Sequence, residues 1–425
     1  MSFCLMIQHM RGRSDHAVGL PSFLSFFGPF TWTLLLIVGA YSVEASEEMR
    51  GVWIVRHVLK DPEHIRKAVE TAKQAGLNAV FVQVRGRGDA YYQSSLVPPA
   101  ENLPKGKQRF DPLALTISLA HQAGLEVHAW VNVYLSWLPT ETAPRAANHV
   151  FNQHPEWFMV SADDIDMGRL NLKGQNLVRR GVEGRFLSPG IPEVRQHLIG
   201  VYEEIIDRYN VDGLHLDYVR YPNSHYDFNQ ISRGLFTQRY RFDPKNLRKT
   251  ATDLKPDLKE RIWKRWRTDQ VTALVGEVHR MIQRKKPWVK LSVAVKPDFH
   301  KAYHEFGQDW IRWINKEMVD FVVPMLYALK MDAFSLRVQE ARKYVKKGHL
   351  YVGIGIYLHD TTTETVAQIR RARSLGAKGV VLFSYDSLLE KPNLVDRLKR
   401  ETFSWPSKVP RMGWKQDRYG QTEAR

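Results

Sequence analysis

The sequence predicts an α/β protein, a (β/α)8 TIM barrel with long βα loops. Three observations carry this expectation. Eight strand-like apolar segments alternate with eight helical ones along the 425 residues, the order expected of parallel α/β units. Two successive units share one pattern: Asp-Pro, helix, Ala-Gly-Leu, strand, first at Asp61-Pro62 with Ala75-Gly76-Leu77, then at Asp111-Pro112 with Ala123-Gly124-Leu125. Finally, one parity of strand after strand is aliphatic, while the other turns polar and aromatic toward the C-terminal end. A doubly wound open sheet fits less well, because no Gly-rich dinucleotide turn follows the first strand.

The elements follow in order. Arg50–Val55 alternates as a strand. Asp61 and Pro62 suit the N-cap and first turn of a helix closed by Gly76. Asn78–Val84 is the second strand. Asp111-Pro112 opens a helix closed by Gly124, and Glu126–Val133 follows as a strand. A long connection, Tyr134 to Pro189, precedes a helix at Pro192–Tyr209. The fourth strand lies within Val211–Pro222, and proline ends its pairing. After a second long connection come a helix near Thr268–Lys285 and a strand at Lys290–Val295. Helix Gln308–Ile314, strand Asp320–Tyr327, helix Leu336–Val345 and strand Tyr351–Tyr357 come next. Helix Thr363–Leu375, strand Gly379–Tyr385 and helix Leu394–Phe403 finish the series.

Residues 1–45 read as an export signal, 46–404 as the barrel and 405–425 as a loose basic tail. Arg11 and Arg13 precede an apolar run within Phe23 to Val43, and Val43-Glu44-Ala45 fits a small-x-small cleavage site before Ser46. The alternative is a retained membrane anchor, but Gly28-Pro29 interrupts the run. Export to the periplasm or medium is therefore expected, with membrane contact only through an uncleaved signal. Cys4 is the only cysteine, which excludes an intramolecular disulfide, a Cys-ligated zinc and a cysteine nucleophile in the body. No P-loop, His-x-His or His-Glu-x-x-His motif occurs, so neither metal nor cofactor is expected. The net charge of +17 favours an anionic partner, here an anionic cell-wall polysaccharide; nucleic acid is not expected.

Active sites of such barrels lie at the C-terminal ends of the strands. On the polar parity stand Gln83 and Arg85; His128, Trp130 and Asn132; His215 and Asp217; and Ser292, Lys296 and Asp298. Tyr327, Tyr357, and Ser384 with Asp386, end the last three strands. A purely structural barrel would fill its lumen with branched aliphatics. His128 and His215 alone read equally as core histidines. Carboxylates among aromatics and planar polar groups suit sugars, whose rings stack and whose hydroxyls pair. Glycoside hydrolysis needs two carboxylates flanking the bond. Asp217 is the first, Asp298 the leading choice for the second and Asp386 its rival. Gln83, Arg85, His128, Trp130, Asn132, Trp137, His215, Arg220, Tyr327 and Tyr357 are the expected substrate-binding residues. The insertion after the fourth strand, rich in cations from Arg233 to Arg267, is expected to offer a basic wall to the site or, more plainly, a solvated helical face.

Several motifs occur together: Arg50-Gly51-Val52-Trp53, Val82-Gln83-Val84-Arg85 with Gly88-Asp89-Ala90-Tyr91-Tyr92, and Phe110-Asp111-Pro112-Leu113. His128-Ala129-Trp130-Val131-Asn132, His154-Pro155-Glu156-Trp157, Pro189–Arg195 and the Val211–Pro222 stretch follow in order. In these the chain resembles the glycosyl-hydrolase-like 10 family from about Arg50 to Tyr385. The resemblance implies a TIM-barrel glycosidase of the bacterial envelope, some members of which act on peptidoglycan glycan strands, and a central role for Asp217. Where such sequences often carry Pro-Gln-x-Tyr, this one has Pro324-Met325-Leu326-Tyr327. The expected activity is carboxylate acid/base hydrolysis of a cell-wall polysaccharide; the alternative is a barrel that binds glycans without cleaving them.

Overall fold

The computed structural model describes residues 46–106, 110–139, 142–169, 181–247 and 254–415; the expected signal at 1–45 lies outside them. The strands are β1 (Met49–Ile54), β2 (Ala79–Arg85), β3 (Glu126–Asn132), β4 (Gly213–Asp217), β5 (Lys290–Val295), β6 (Phe321–Pro324), β7 (His349–Leu350 and Val352–Gly355) and β8 (Gly379–Phe383). They form one sheet of nine parallel segments. The sheet's two edges are the two pieces of β7, one beside β6 and the other beside β8. Only Tyr351 parts them, so the sheet comes round to near closure as the expected TIM barrel. A bridge from Met325 to Gly353 helps draw β6 to β7.

The outer helices are α1 (Pro62–Gln74), α2 (Pro112–Gln122), α3 (Pro192–Arg208), α4 (Pro256–Lys285), α5 (Trp310–Asn315), α6 (Met331–Tyr344), α7 (Thr362–Ser374) and α8 (Leu394–Arg397). The paired sequence pattern has a paired physical basis. Asp61 and Asp111 accept hydrogen bonds from the N–H of Glu63 and Ala114, at 2.7 and 3.0 Å, and proline holds the first turn of each helix. Gly76 and Gly124 take positive φ just beyond the ends, where a side chain would be strained.

Strand parity separates two cores. Val80, Val82, Val127, Ala129, Leu214, Leu216, Leu291 and Val293 pack outward against the helices. Met49, Trp53, Phe81, Trp130, Phe321, Val323, Tyr351 and Val381 fill the lumen. Several elements differ from their expected extents. The sixth strand stops at Pro324, which has no N–H to continue the ladder, so Tyr327 lies beyond it. Tyr357 likewise sits in a 3-10 turn, Ile356–Leu358, after β7. Helix α4 begins at Pro256 rather than near Thr268. Its first turns are too charged for an apolar period to reveal them.

The segment expected to be a loose tail is packed as far as residue 415; residues 416–425 lie outside the description. Ser407–Lys408 pairs in parallel with Ser46–Glu47. The Arg50 guanidinium donates to the Trp405 carbonyl and lies over its ring. The Trp414 indole donates to Asp320 at 2.7 Å, and Lys415 makes a buried ion pair with the same carboxylate at 2.9 Å. Tryptophan and a lysine stem covering the open end of a barrel explain the order that charge composition hides.

Lys415→Ala should lower stability by about 3 kcal/mol, because it strands Asp320 as a buried charge. Arg411→Ala, which removes an exposed pair at 3.9 Å, should change stability by less than about 1 kcal/mol. Urea unfolding of both variants measures the difference, and equal losses would refute the clamp.

Candidate active site

A cleft of about 570 Å³ opens at the C-terminal ends of the strands. Asp217, the last residue of β4, stands at its base, 8% exposed. Its carboxylate accepts the Tyr218 N–H at 2.7 Å. Its carbonyl accepts the Val133 N–H at 2.8 Å, fixing the strand end. Tyr218 takes φ of 50°, a left-handed turn that is strained for a tyrosine and common at functional sites. Burial pushes the Asp217 carboxyl up to about 6, against the opposing pull of the Tyr218 N–H, Arg220, Trp130 and Lys296.

Arg220 is buried and pairs with Glu183 at 2.9 Å. Its guanidinium lies over the Tyr218 and Phe306 rings at 4.7 and 5.5 Å. Lys296, just past β5, also lies over Phe306, at 5.0 Å. Burial and the nearby Arg220 lower its pKa. Glu183 and Asp217 are thus two carboxylates lining one cleft. Glu183 arrives on a small antiparallel ribbon, Leu135–Trp137 with Arg185–Phe186, built within the long loop after β3.

Aromatic rings form one wall. Tyr327 stacks on Phe383 at 5.7 Å, and Tyr357 and Trp53 meet Phe383 edge-on at 6.0 Å. Gln83, Trp130, Asn132, Trp137, Arg220, Tyr327 and Tyr357 therefore line the cleft together with Asp217. Trp137 is also anchored, its indole donating to the Thr142 carbonyl at 2.8 Å.

The other expected residues lie elsewhere. Asp298 caps the helix Phe299–His304, accepting the Lys301 N–H at 3.0 Å, with Arg337 at 3.6 Å. That hydrogen bond, then Arg337, hold its carboxyl below the usual range. Asp386 pairs with His57 at 2.8 Å in an exposed position. Neither lines the cleft. Arg85 is fully buried behind it, donating to the carbonyls of Asn132 and Val133. His128 stacks on Phe81 at 4.5 Å, deep in the lumen, with Glu126 at 3.2 Å. A Cβ on Gly213 would stand 2.1 Å from its ring nitrogen, so glycine is required there. His215 accepts from the Trp53 indole at 3.2 Å and meets Ser292 at 2.9 Å. An indole only donates, so the His215 proton sits on Nδ1 and points at Ser292. Burial keeps this histidine neutral.

A raised carboxyl does not by itself mark a site. Asp227 is also pushed up to about 6 by burial. Yet it is fully satisfied by the N–H groups of Val160 and Asn229 and by Ser188, and it lies off the cleft. Nor, among the described residues, does the basic insertion reach the site. Arg233 pairs with Asp243, Lys245 with Asp164, Lys264 with Glu260 and Arg265 with Asp269. Lys259 and Arg267 are buried, Arg248 and Lys249 lie outside the described residues, and among the described residues none of the insertion lines the cleft.

Glu183 and Arg56 are site residues that no periodicity marks, whereas Phe383 follows the lumen parity of Val381 and was passed over for its neighbour Ser384. Lys296 stands on the expected parity, but its charge gave no sign of its position between Arg220 and Asp217.

The family model for glycosyl hydrolase-like 10 proteins matches residues 48–371. Glycosyl hydrolase YngK of Bacillus subtilis (strain 168) is 25% identical, over 89% of this chain and 78% of that protein. Glycosyl hydrolase DigH of Escherichia coli (strain K12) is 25% identical over 75% of each. The glycoside hydrolase domain of PgaB (BpsB) from Bordetella bronchiseptica superposes with a TM-score of 0.61 at 15% identity, covering 83% of this chain and 98% of that one. The catalytic domain of a beta-amylase from Paenibacillus polymyxa does so with a TM-score of 0.55 at 13% identity, covering 85% and 99%. These two likenesses speak to the barrel; the family model, matching three-quarters of the sequence in order, speaks to descent. The chain belongs to the glycosyl hydrolase-like 10 family.

Proposed function

We propose that this protein hydrolyses glycosidic bonds of a polysaccharide, with Asp217 as the proton donor and Glu183 as the base. The observation that carries the proposal is the dry Asp217 carboxyl, held up to about 6 at the foot of an aromatic cleft. A general acid must keep its proton near the working pH, and burial achieves that here. Asp217 gives its proton to the glycosidic oxygen as the bond to the anomeric carbon breaks, and the bonding pair leaves with that oxygen. Glu183 takes a proton from water as the water attacks the opposite face. Its carboxylate is partly exposed on a loop, open to water, and a base acting on water at the opposite face is the inverting mechanism. The cation of Arg220, fixed over two rings, orients Glu183.

The signal-like residues 1–45 and the net charge of +17 support an exported enzyme acting on a cell-wall polysaccharide, glycan strands included. Incubation with purified glycan strands, with and without attached peptides, followed by mass analysis of the products, tests substrate and activity together. Proton NMR of the first products should show inverted anomeric configuration; retention would remove Glu183 from the role of base.

Asp217→Asn keeps shape but cannot exchange a proton, so kcat should fall by roughly 10²–10⁴. Glu183→Gln should lose a similar factor. In the unmutated enzyme kcat/KM should decline as pH rises through about 6, the range in which Asp217 gives up its proton. Normal turnover by a folded Asp217→Asn protein would end the assignment.

The same carboxyl makes a stability prediction. Its folded pKa is raised, so the stability it contributes is full below about 3.8 and is lost as pH rises through about 6. Asp217→Asn should therefore gain stability over the parent above pH 6, on the order of 2–3 kcal/mol, and little at pH 4. Melting temperatures of both proteins at the two pH values give the comparison; a gain of equal size at both would contradict the buried charge.

A further inference from the structure

The floor of the cleft is a hydrogen-bond chain with a fixed direction. Arg56 donates to Gln83 Oε1 at 2.9 Å, and its backbone N–H reaches the same oxygen at 3.4 Å. Gln83 Nε2 donates to Asn132 Oδ1 at 3.3 Å. Asn132 Nδ2 donates to the Gly86 carbonyl at 2.9 Å. A guanidinium can only donate and a carbonyl can only accept, so both amide orientations are set from the two ends. One N–H is left over on Gln83 and one on Asn132, and Arg56, Gln83, Gly86 and Asn132 all line the cleft.

Arg56 is built into this place. A Cβ on Gly86 would stand 2.5 Å from its Cδ, so the stem lies flat where only glycine permits it. Its head is half-buried, and among the described residues it forms no ion pair. The carboxylates of the cleft are engaged elsewhere, Glu183 by Arg220 and Asp217 by the Tyr218 N–H. Asn132 is the strand partner of Asp217, so the row of donors lies directly beside the proposed acid.

We propose that Arg56, Gln83 and Asn132 form a subsite for a carboxylate carried by a sugar that flanks the scissile bond. The word scissile rests on the glycosidase reading; the subsite itself is a statement about binding. A neutral hydroxyl could use the spare amide N–H groups but would leave the Arg56 charge uncompensated in a half-buried place. A carboxylate satisfies both, since it takes several N–H bonds and guanidinium pairs with it best. The carboxylate belongs either to the sugar ring, as in a uronic acid, or to an ether substituent, as in a lactyl amino sugar.

Calorimetric titration of the full-length Asp217→Asn protein at pH 7 tests this without turnover. The probes are oligosaccharides of each type, and the same oligosaccharides with every carboxyl converted to its methyl amide. At least one acid should bind about tenfold or more tighter than its amide, the gap expected of a charge-assisted hydrogen bond. The arm that shows the gap names the carrier. Adding Arg56→Met should shrink the gap to less than about twofold, and Arg56→Gln repeats the test should the first variant melt early. Equal affinity for acid and amide, no binding in either arm, or a gap that survives the loss of Arg56 overturns the subsite. Cleavage of neutral strands alone would spare the hydrolase reading and reject the subsite; a charge preference without any cleavage would do the reverse.

Discussion

The cleft depends on one carboxyl group kept out of water at the rim of a barrel. Asp217 ends a strand whose outward parity is Leu214 and Leu216 and whose inward parity is His215 above a packed lumen. No water reaches it from below, and Tyr218 turns the chain immediately after it. Its surroundings are arranged around that cost. Arg220 and Lys296 stand near enough to moderate its desolvation without pairing with it, and each is itself restrained by Phe306. The carboxyl therefore remains protonatable near neutrality instead of being locked as an anion, as Asp298 is by a helix N-terminus and Arg337.

The barrel was legible because its signals are local. Asp-Pro caps, glycines at positive φ and period-two strands each arise within a few residues and are repeated. The strand-borne half of the site was legible for the same reason: Gln83, Trp130, Asn132 and Asp217 are placed by parity alone. Residues delivered by loops were not. Glu183 lies in the middle of a connection without periodicity, and only the pairing of Leu135–Trp137 with Arg185–Phe186 brings it to the cleft. Asp298 failed to reach the lining because parity was carried past the point where the strand ends, and Asp386 because it shares the outward parity of Val380 and Leu382. Once the backbone becomes a helix cap, inward and outward no longer alternate.

Net charge was a poorer guide than position. The insertion after β4 holds many of the cations, yet ion pairs with Asp243, Asp164, Glu260 and Asp269 neutralise much of it locally. The cations that line the cleft are few and follow strand ends: Arg56, Arg220, Lys296 and Arg87, the last paired with Asp89. Two of these, Arg220 and Lys296, surround the two carboxylates, while Arg56 stands at the far end of an amide chain. Separated in this way, the first pair conditions the acid and its partner without competing for whatever meets Arg56.

The parallel pairing of Ser46–Glu47 with Ser407–Lys408 stitches the first described segment of the barrel to a late one. Chain ends are ordinarily where native structure frays first. Here neither bounding segment of the barrel can peel away alone, since each is the other's ladder partner, and the later segment is pinned again through Trp414 and Lys415 to Asp320. Local opening of the barrel from these segments thus becomes a joint event that must also break a buried ion pair. Over the described residues the barrel behaves as a ring with a seam rather than as an open ribbon, and a protease that attacks the barrel itself must start in its loops.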